Sequence, residues 1–395
     1  MTTANSRSRA HQVKTFLQNH NLDAWIAWRP DEILMLTEGY FTFWGASLML
    51  YFVNSESVLF IPEIELRDSV PTKGFRIREY PWGEVKCSDP YAVLAAAVTE
   101  ELTKAGTKKE KVGMSSSGAR TSLPMQAGEQ IPFAENFWEN FSTVASVASP
   151  AALADFAALY QRKSDQEVAS IRRSNRVANV GLQVFMDHAK AGISETEIAS
   201  AVESAIYRQI GYDGIFHSRA WAMVQGGPHS SDAGRYNRST ARKLENGDLV
   251  LIELGTCVNG YWSDVTRTVA VGEAKPAAAE ILSVVTQAQK IAREAVRPGI
   301  SAGEIDALAR NFITARGFGE YFTHVTGHHV GFRYHDPAFG IVPGEKSLLE
   351  PGMLITVEPG VYVPKSGAGA RIEDNVLVTD TGYEILSRTD SSATA

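Results

Sequence analysis

Short β-type runs open the chain after a polar, partly helical entry over residues 1–20: Asp23–Trp28, Ser47–Val53, Ser57–Ile61 and Phe75–Tyr80. Asn54-Ser55 marks a hairpin between the second and third. A helical pattern follows over Pro90–Ala105, then a strand at Lys111–Met114 and a further helix near Leu123–Gln130. Strands alternating with helices predict a smaller α/β domain of about 150 residues. At Ser164-Asp-Gln-Glu167 the character changes, because Ser-x-x-Glu has the form of a capping box and opens a helical pattern running to about Ala191. The domain boundary is placed there, giving domains 1–158 and 159–395.

Within the second domain a pattern recurs. Gly192-Ile-Ser194-Glu-Thr-Glu197-Ile opens one helix and Gly299-Ile-Ser301-Ala-Gly-Glu304-Ile opens another. Each carries Ser-x-x-Glu, follows a long helical pattern (165–191 and 275–297) and precedes strands. Two α/β halves related by a pseudo-two-fold, with a site at their junction, would produce such a repeat. A chance recurrence of capping signals is the plainer reading.

Between the two signals lies Leu249-Val-Leu-Ile-Glu253-Leu-Gly-Thr-Cys-Val-Asn259-Gly260-Tyr-Trp-Ser-Asp264-Val-Thr-Arg267-Thr268. Asn-Gly is the dipeptide best suited to a two-residue type I′ turn. If it is the turn, Glu253 faces Thr266 and Asp264 faces Gly255, and all four share one face of the hairpin. The two acids become diagonal neighbours at about 7–8 Å. Two carboxylates on an apolar hairpin repel unless a cation, a shared proton or an Arg or Lys answers them. They could instead point into water, but Leu249 and Leu251 on the same face argue for burial.

Composition narrows the function classes. Hydrophobic residues make up 44% and charged residues 21%, as in an ordinary globular protein. The net charge of −7, with no basic run, argues against nucleic-acid binding. Two cysteines give no disulfide framework, and neither a signal peptide nor an apolar run long enough for a membrane span is apparent. The expected setting is cytoplasmic, with no membrane partner.

The chemistry gathers toward the C-terminal end. Four of the nine histidines fall in His324-Val-Thr-Gly-His328-His329-Val-Gly331-Phe-Arg-Tyr-His335. Leu354-Ile-Thr-Val-Glu358-Pro359-Gly360 ends a β run on an acid, and Ala370-Arg371-Ile-Glu373-Asp374 places Arg371 and Glu373 on one face of an expected strand. Acids in such apolar strands are costly unless paired or ligating. Four oxygen donors with one imidazole suit Mn²⁺, Co²⁺, Fe²⁺ or Zn²⁺. A two-metal arrangement of that kind can hold a bridging hydroxide and polarise a carbonyl.

At these residues the chain resembles the creatinase / aminopeptidase P / methionine aminopeptidase (pita-bread) family, on its Xaa-Pro dipeptidase and aminopeptidase branch. The resemblance covers roughly residues 160–390 and is looser before them. The motifs that carry it are Gly247-Asp-Leu-Val-Leu-Ile, Tyr261-x-Ser-Asp264-Val-Thr-Arg267-Thr268, Gly327-His328-x-Val-Gly331, His335-Asp-x-x, Leu349-Glu-Pro-Gly-Met353, Val357-Glu358-Pro359-Gly360 and Arg371-Ile-Glu373-Asp374. It implies an α+β protein: a pita-bread catalytic domain of duplicated halves preceded by a creatinase-type N-terminal α/β domain. It implies two divalent metal ions, Mn²⁺ favoured, on Glu253, Asp264, His328, Glu358 and Glu373. Glu358 would move protons, His324 and His335 would bind the substrate carbonyl or the oxyanion, and Arg371 would support the last acid. A small peptide or amide substrate, most readily Xaa-Pro, and a homodimer are further implications.

Two departures qualify it. The first metal position is usually Asp, and Glu253 carries its carboxylate about 1.5 Å further out. Ectoine-hydrolase-like members also have Glu there, so a metal-independent C–N hydrolase with Glu253 as nucleophile is the alternative, and a non-catalytic binding module a lesser one. Proline-branch peptidases also have a substrate histidine about 17 residues before that position. Counting back lands on Tyr236, with His229 seven positions earlier, so either could take the substrate-binding role.

Overall fold

The computed structural model describes residues 8–42, 47–65, 74–82, 87–115, 139–235 and 238–387. Two compact units form, Met1–Tyr160 with Ser164–Gln166, and Gln161–Lys163 with Glu167–Ala395.

The first unit contains α1 (Arg9–Asn19), β1 (Ala24–Ala27), α2 (Pro30–Thr37), β2 (Leu48–Phe52), β3 (Val58–Pro62), β4 (Arg76–Tyr80), α3 (Pro90–Lys104), β5 (Val112–Met114), β6 (Ser146–Val147) and α4 (Pro150–Ala158). Its sheet has the order β4-β3-β2-β1-β5-β6. Strands β1 to β3 are buried at every position, which is why they read as continuous apolar runs rather than alternating ones. Ile26, Leu50, Phe60 and Val98 meet in one core. Helix α3 starts where Asp89 Oδ1 accepts the Ala92 N–H at 3.0 Å and Pro90 supplies a preset φ. Two short helices, α2 and α4, lie where the sequence pattern predicts none. Each also starts on a proline, but neither is long enough to show a clear period. The helix expected near Leu123–Gln130 lies outside the described residues.

The second unit runs α5 (Asp165–His188), α6 (Glu195–Tyr207), β7 (Ser218–Gly226), β8 (Leu249–Val258), β9 (Tyr261–Ala270), α7 (Pro276–Glu294), α8 (Ala302–Ala315), β10 (Leu354–Val357), β11 (Gly360–Val363), β12 (Ala368–Arg371), β13 (Asp374–Val378) and β14 (Tyr383–Ile385). Strands β7, β8 and β9 form an antiparallel sheet, β10, β13 and β14 a second, and β11 with β12 a ribbon. No described helix is long and apolar enough to cross a membrane.

The hairpin adopts the expected register, Glu253 opposite Thr266 and Gly255 opposite Asp264. Asn259 and Gly260 take φ of 50° and 89°, as a type I′ turn requires. Asn259 does more than turn the chain. Its Oδ1 accepts the N–H groups of Phe216 and His217, and its Nδ2 donates to Gly214 O at 2.8 Å.

The repeat is real. Ser194/Glu197 and Ser301/Glu304 both form complete capping boxes. The Gly192 N–H donates to Leu244 O as that of Gly299 does to Leu349 O, and Leu244 N–H returns to Ile193 O as Leu349 N–H does to Ile300 O. Gly247 and Gly352 then turn the chain with φ of 90° and 89° into β8 and β10. Glu253 and Glu358 stand at the same distance beyond those two glycines, so each half carries an acid at one equivalent place. The unit has the duplicated α/β halves that the sequence implied.

One local expectation fails. Arg371 ends β12 and Asp374 begins β13, so Arg371 and Glu373 are not neighbours on one strand face. The link at Ile372-Glu373 carries the acid out of the ladder.

Removing either cap hydroxyl, Ser194→Ala or Ser301→Ala, is expected to cost about 1 kcal/mol, a fall in Tm of about 2–4 °C in thermal unfolding.

Candidate metal centre

Cross-strand pairing builds the floor of the site. One row across β7, β8 and β9 is Trp221, Gly255 and Asp264, and the next is Met223, Glu253 and Thr266. Asp264 is buried at 1% exposure, and its backbone N–H donates to Asn375 Oδ1 at 3.2 Å. Glu373 is equally buried. Its N–H donates to Thr266 O, and its Oε2 accepts the Thr266 hydroxyl at 2.7 Å. Arg267 anchors the same link by donating to Glu373 O and to Asp374 Oδ1.

His328 enters from the facing loop. A Cβ on Gly327 would lie 2.0 Å from Thr356 O, so only glycine lets this loop lie against β10. The backbone N–H of His328 donates to Thr356 Oγ1 at 3.0 Å, and its Nδ1–H donates to His329 O at 3.0 Å. That second bond leaves Nε2 with its lone pair toward the acids, at 3.4 Å from Asp264 Oδ2 and 3.3 Å from Glu358 Oε1. A deeper brace holds the loop. Lys163 and Asp336, both with wholly buried side chains, pair at 2.8 Å, and Asp336 also accepts the Arg333 N–H.

Ligand atoms of Asp264, His328 and Glu373 lie within 4.8 Å of one another. Asp264 Oδ1 and Glu373 Oε1 are buried with no hydrogen-bond partner among the described residues. Burial first, and the neighbouring acids second, push Glu373 up to about 8 and Glu358 well above the carboxylate range. Burial likewise raises Asp264. Two unpartnered carboxylate oxygens and an imidazole lone pair, in a cluster that resists ionising unaided, fit a divalent cation of the borderline class.

The other expected residues fall into three groups. Glu358 borders the cluster through His328 and accepts the Thr356 hydroxyl at 3.1 Å. Glu253 is engaged elsewhere: one carboxylate oxygen accepts the Tyr334 hydroxyl and the other pairs with the Arg371 guanidinium. Arg371 reaches Glu373 through Thr266, whose hydroxyl accepts its Nε–H at 3.1 Å. It also donates to the Tyr362 hydroxyl at 2.6 Å. Because His324 Nδ1 donates to Val325 O, its Nε2 accepts from Tyr362 at 2.9 Å, making a chain from Arg371 through Tyr362 to His324. His335 stacks near the His328 ring at 3.9 Å between centroids.

His229 is held by a buried carboxylate rather than by the cluster. Glu195 accepts from His229 Nδ1 at 2.9 Å and from Gly226 and Thr240, a closed structural arrangement. Tyr236 lies outside the described residues. Tyr334 and Tyr362 were missed by sequence reasoning. The residues next to a tyrosine carry no signal for the carboxylate or histidine it will meet across the fold.

Residues 169–380 match metallopeptidase family M24, and the chain belongs to that family. It is 38% identical over 225 residues to a Staphylococcus aureus protein (strain MW2) known only as an uncharacterized peptidase, spanning 62% of that relative's length. In structure it is similar to the prolidase from Pyrococcus horikoshii OT3, with a TM-score of 0.76 and 25% identity over 97% of this chain and 98% of that one. The prolidase from Pyrococcus furiosus aligns at a TM-score of 0.74 and 25% identity, over 95% and 99%.

The raised acids set a sign. A carboxylate bound to its proton more tightly when folded than when unfolded destabilises the fold as pH rises from the unfolded value toward the folded one. The metal-free protein is therefore expected to melt at lower temperature at pH 8 than at pH 5.5. Added Mn²⁺ should raise Tm more at pH 8, read by calorimetry at both pH values.

Proposed function

We propose that this chain is a metal-dependent hydrolase that cleaves the amide bond of Xaa-Pro dipeptides or of short peptides beginning Xaa-Pro. The observation that carries the reading is the cluster of Asp264, His328 and Glu373, with its two unpartnered buried carboxylate oxygens, in a chain that aligns with prolidases along nearly its full length. Asp264, His328 and Glu373 would hold one divalent ion, with Glu358 beside them. Glu253 would join a second ion only by exchanging Arg371 or Tyr334. Bound there, a divalent ion polarises a carbonyl and lowers the pKa of a water.

The chain's own residues do the rest. Glu358, largely shielded and avid for a proton, takes one from the attacking water and passes it to the leaving nitrogen. The Tyr362 hydroxyl, backed by Arg371, is a donor able to answer a developing oxyanion, and His324 accepts its proton bond until substrate arrives. His335 lines the approach beside His328. The metal-free alternative needs Glu253 as a nucleophile, and both of its oxygens are already engaged. A cytoplasmic homodimer belongs to the same proposal.

An Xaa-Pro panel should be turned over by the Mn²⁺-reconstituted protein, and chelation should abolish the activity. Asp264→Asn is expected to lower kcat/KM by about a thousandfold or more. Elemental analysis should find one ion retained through desalting and a second only in excess Mn²⁺. Hydrolysis that survives chelation, or turnover confined to cyclic amidines and guanidino compounds, would overturn the reading.

A further inference from the structure

Tyr334 sits where the acids of β8 and β9 approach each other. Gly255 lies opposite Asp264 in the hairpin, and Glu253 is the next residue along that face of β8. A Cβ on Gly255 would meet Tyr334 Cε2 at 2.8 Å, so the ring lies directly on the glycine. Its hydroxyl donates to one carboxylate oxygen of Glu253, while the Arg371 guanidinium holds the other. Burial raises Asp264, and hydrogen bonding with the same Tyr334 hydroxyl works against that rise. One phenol oxygen therefore stands against both acids.

A hydroxyl bonded to a buried acid can be incidental, released as soon as an ion arrives. This ring has little room to leave. Tyr334 is 4% exposed. The rings of Trp221, Trp262, His335 and His328 pack around it, with centroids at 5.9, 6.0, 4.8 and 6.3 Å. A side chain packed on that many sides moves only if its neighbours move with it.

The donor set then divides. Asp264 Oδ1, Glu373 Oε1 and the His328 lone pair have no protein partner among the described residues to displace, and they fit one divalent ion. A second ion about 3.5–4 Å away would draw on Glu253 together with Asp264. Those are the two acids that the Tyr334 hydroxyl already joins, so the residues present do not fit a second ion equally well. Given the metal-dependent reading above, we infer that Tyr334 closes the second metal position and builds the centre for a single ion. Arg371 supplies the fixed positive charge on the Glu253 side.

The test counts ions and does not depend on turnover. The full chain is loaded with excess Mn²⁺, desalted, and measured by elemental analysis and low-temperature electron paramagnetic resonance. Wild type should retain one Mn²⁺ per chain, with the resolved hyperfine signal of an isolated ion. Tyr334→Phe leaves a Glu253 oxygen buried without its hydroxyl partner, so affinity for the second ion should rise roughly tenfold or more. Two ions should then survive desalting and give the broad signal of a coupled pair. Glu253→Gln should keep the first ion, and the double variant Tyr334→Phe/Glu253→Gln should return to one. Two coupled ions in wild type, one ion in a folded Tyr334→Phe chain, or loss of the first ion from folded Glu253→Gln would each overturn the inference. If circular dichroism shows that Tyr334→Phe has not folded, the wild-type count and Glu253→Gln still decide it. A wild type that retains no ion would remove the metal-dependent reading and this inference together, whereas a coupled pair would leave that reading standing.

Discussion

Carboxylates crowded into a dry interior are the constraint to which the rest of the second unit answers. Burial pushes Asp264, Glu358 and Glu373 toward their protonated forms, and neighbouring acids add to it at Glu358 and Glu373. Such a group persists only if cations or protons compensate it. Among the described residues Arg371 pairs with Glu253 and donates to Tyr362, and it reaches Glu373 only through the Thr266 hydroxyl. The remaining charge would fall to a divalent ion, which would link the stability of this unit to metal and to pH.

Holding acids in that arrangement takes a stiff frame. Duplication provides it: two capped helices followed by two glycine turns bring β8 and β10 in with Glu253 and Glu358 at matching places. Around them, hydrogen bonds go to groups that cannot shift far. Thr266 holds Glu373, Thr356 holds both His328 and Glu358, and Asn375 accepts from the backbone of Asp264. Asp374 next door is a contrast. It is just as buried, yet Arg267 and Arg293 hold its carboxyl below the usual range against the cost of burial. Adjacent acids in one link thus differ, one neutralised by arginines and the other keeping a buried oxygen with no partner among the described residues.

The equivalence of the two halves stops at the chemistry. Glu253 meets Arg371 and Tyr334, while Glu358 meets His328 and Thr356. One acid is thereby tied to a protein cation and the other left beside an imidazole lone pair. The asymmetry suits a centre in which one carboxylate must remain free to exchange protons.

Much of this was legible in the chain itself. Asn259-Gly260 determined the hairpin and its register, because a type I′ turn admits few other residues and a strand alternates with period two. Ser-x-x-Glu determined both helix starts through bonds made within three residues. Acids and histidines in apolar strands announced a site, since burial without an answer is too costly. What the sequence could not show depends on partners brought from a distance. The engagement of Glu253 by Arg371 and Tyr334 joins residues 81 and 118 positions away. His229 answers to Glu195 across 34 positions, and the strand expected to carry both Arg371 and Glu373 breaks where Glu373 turns toward Thr266. Local rules operate over a few residues along the backbone. Which cation neutralises which acid is a through-space question, and only the tertiary structure decided it.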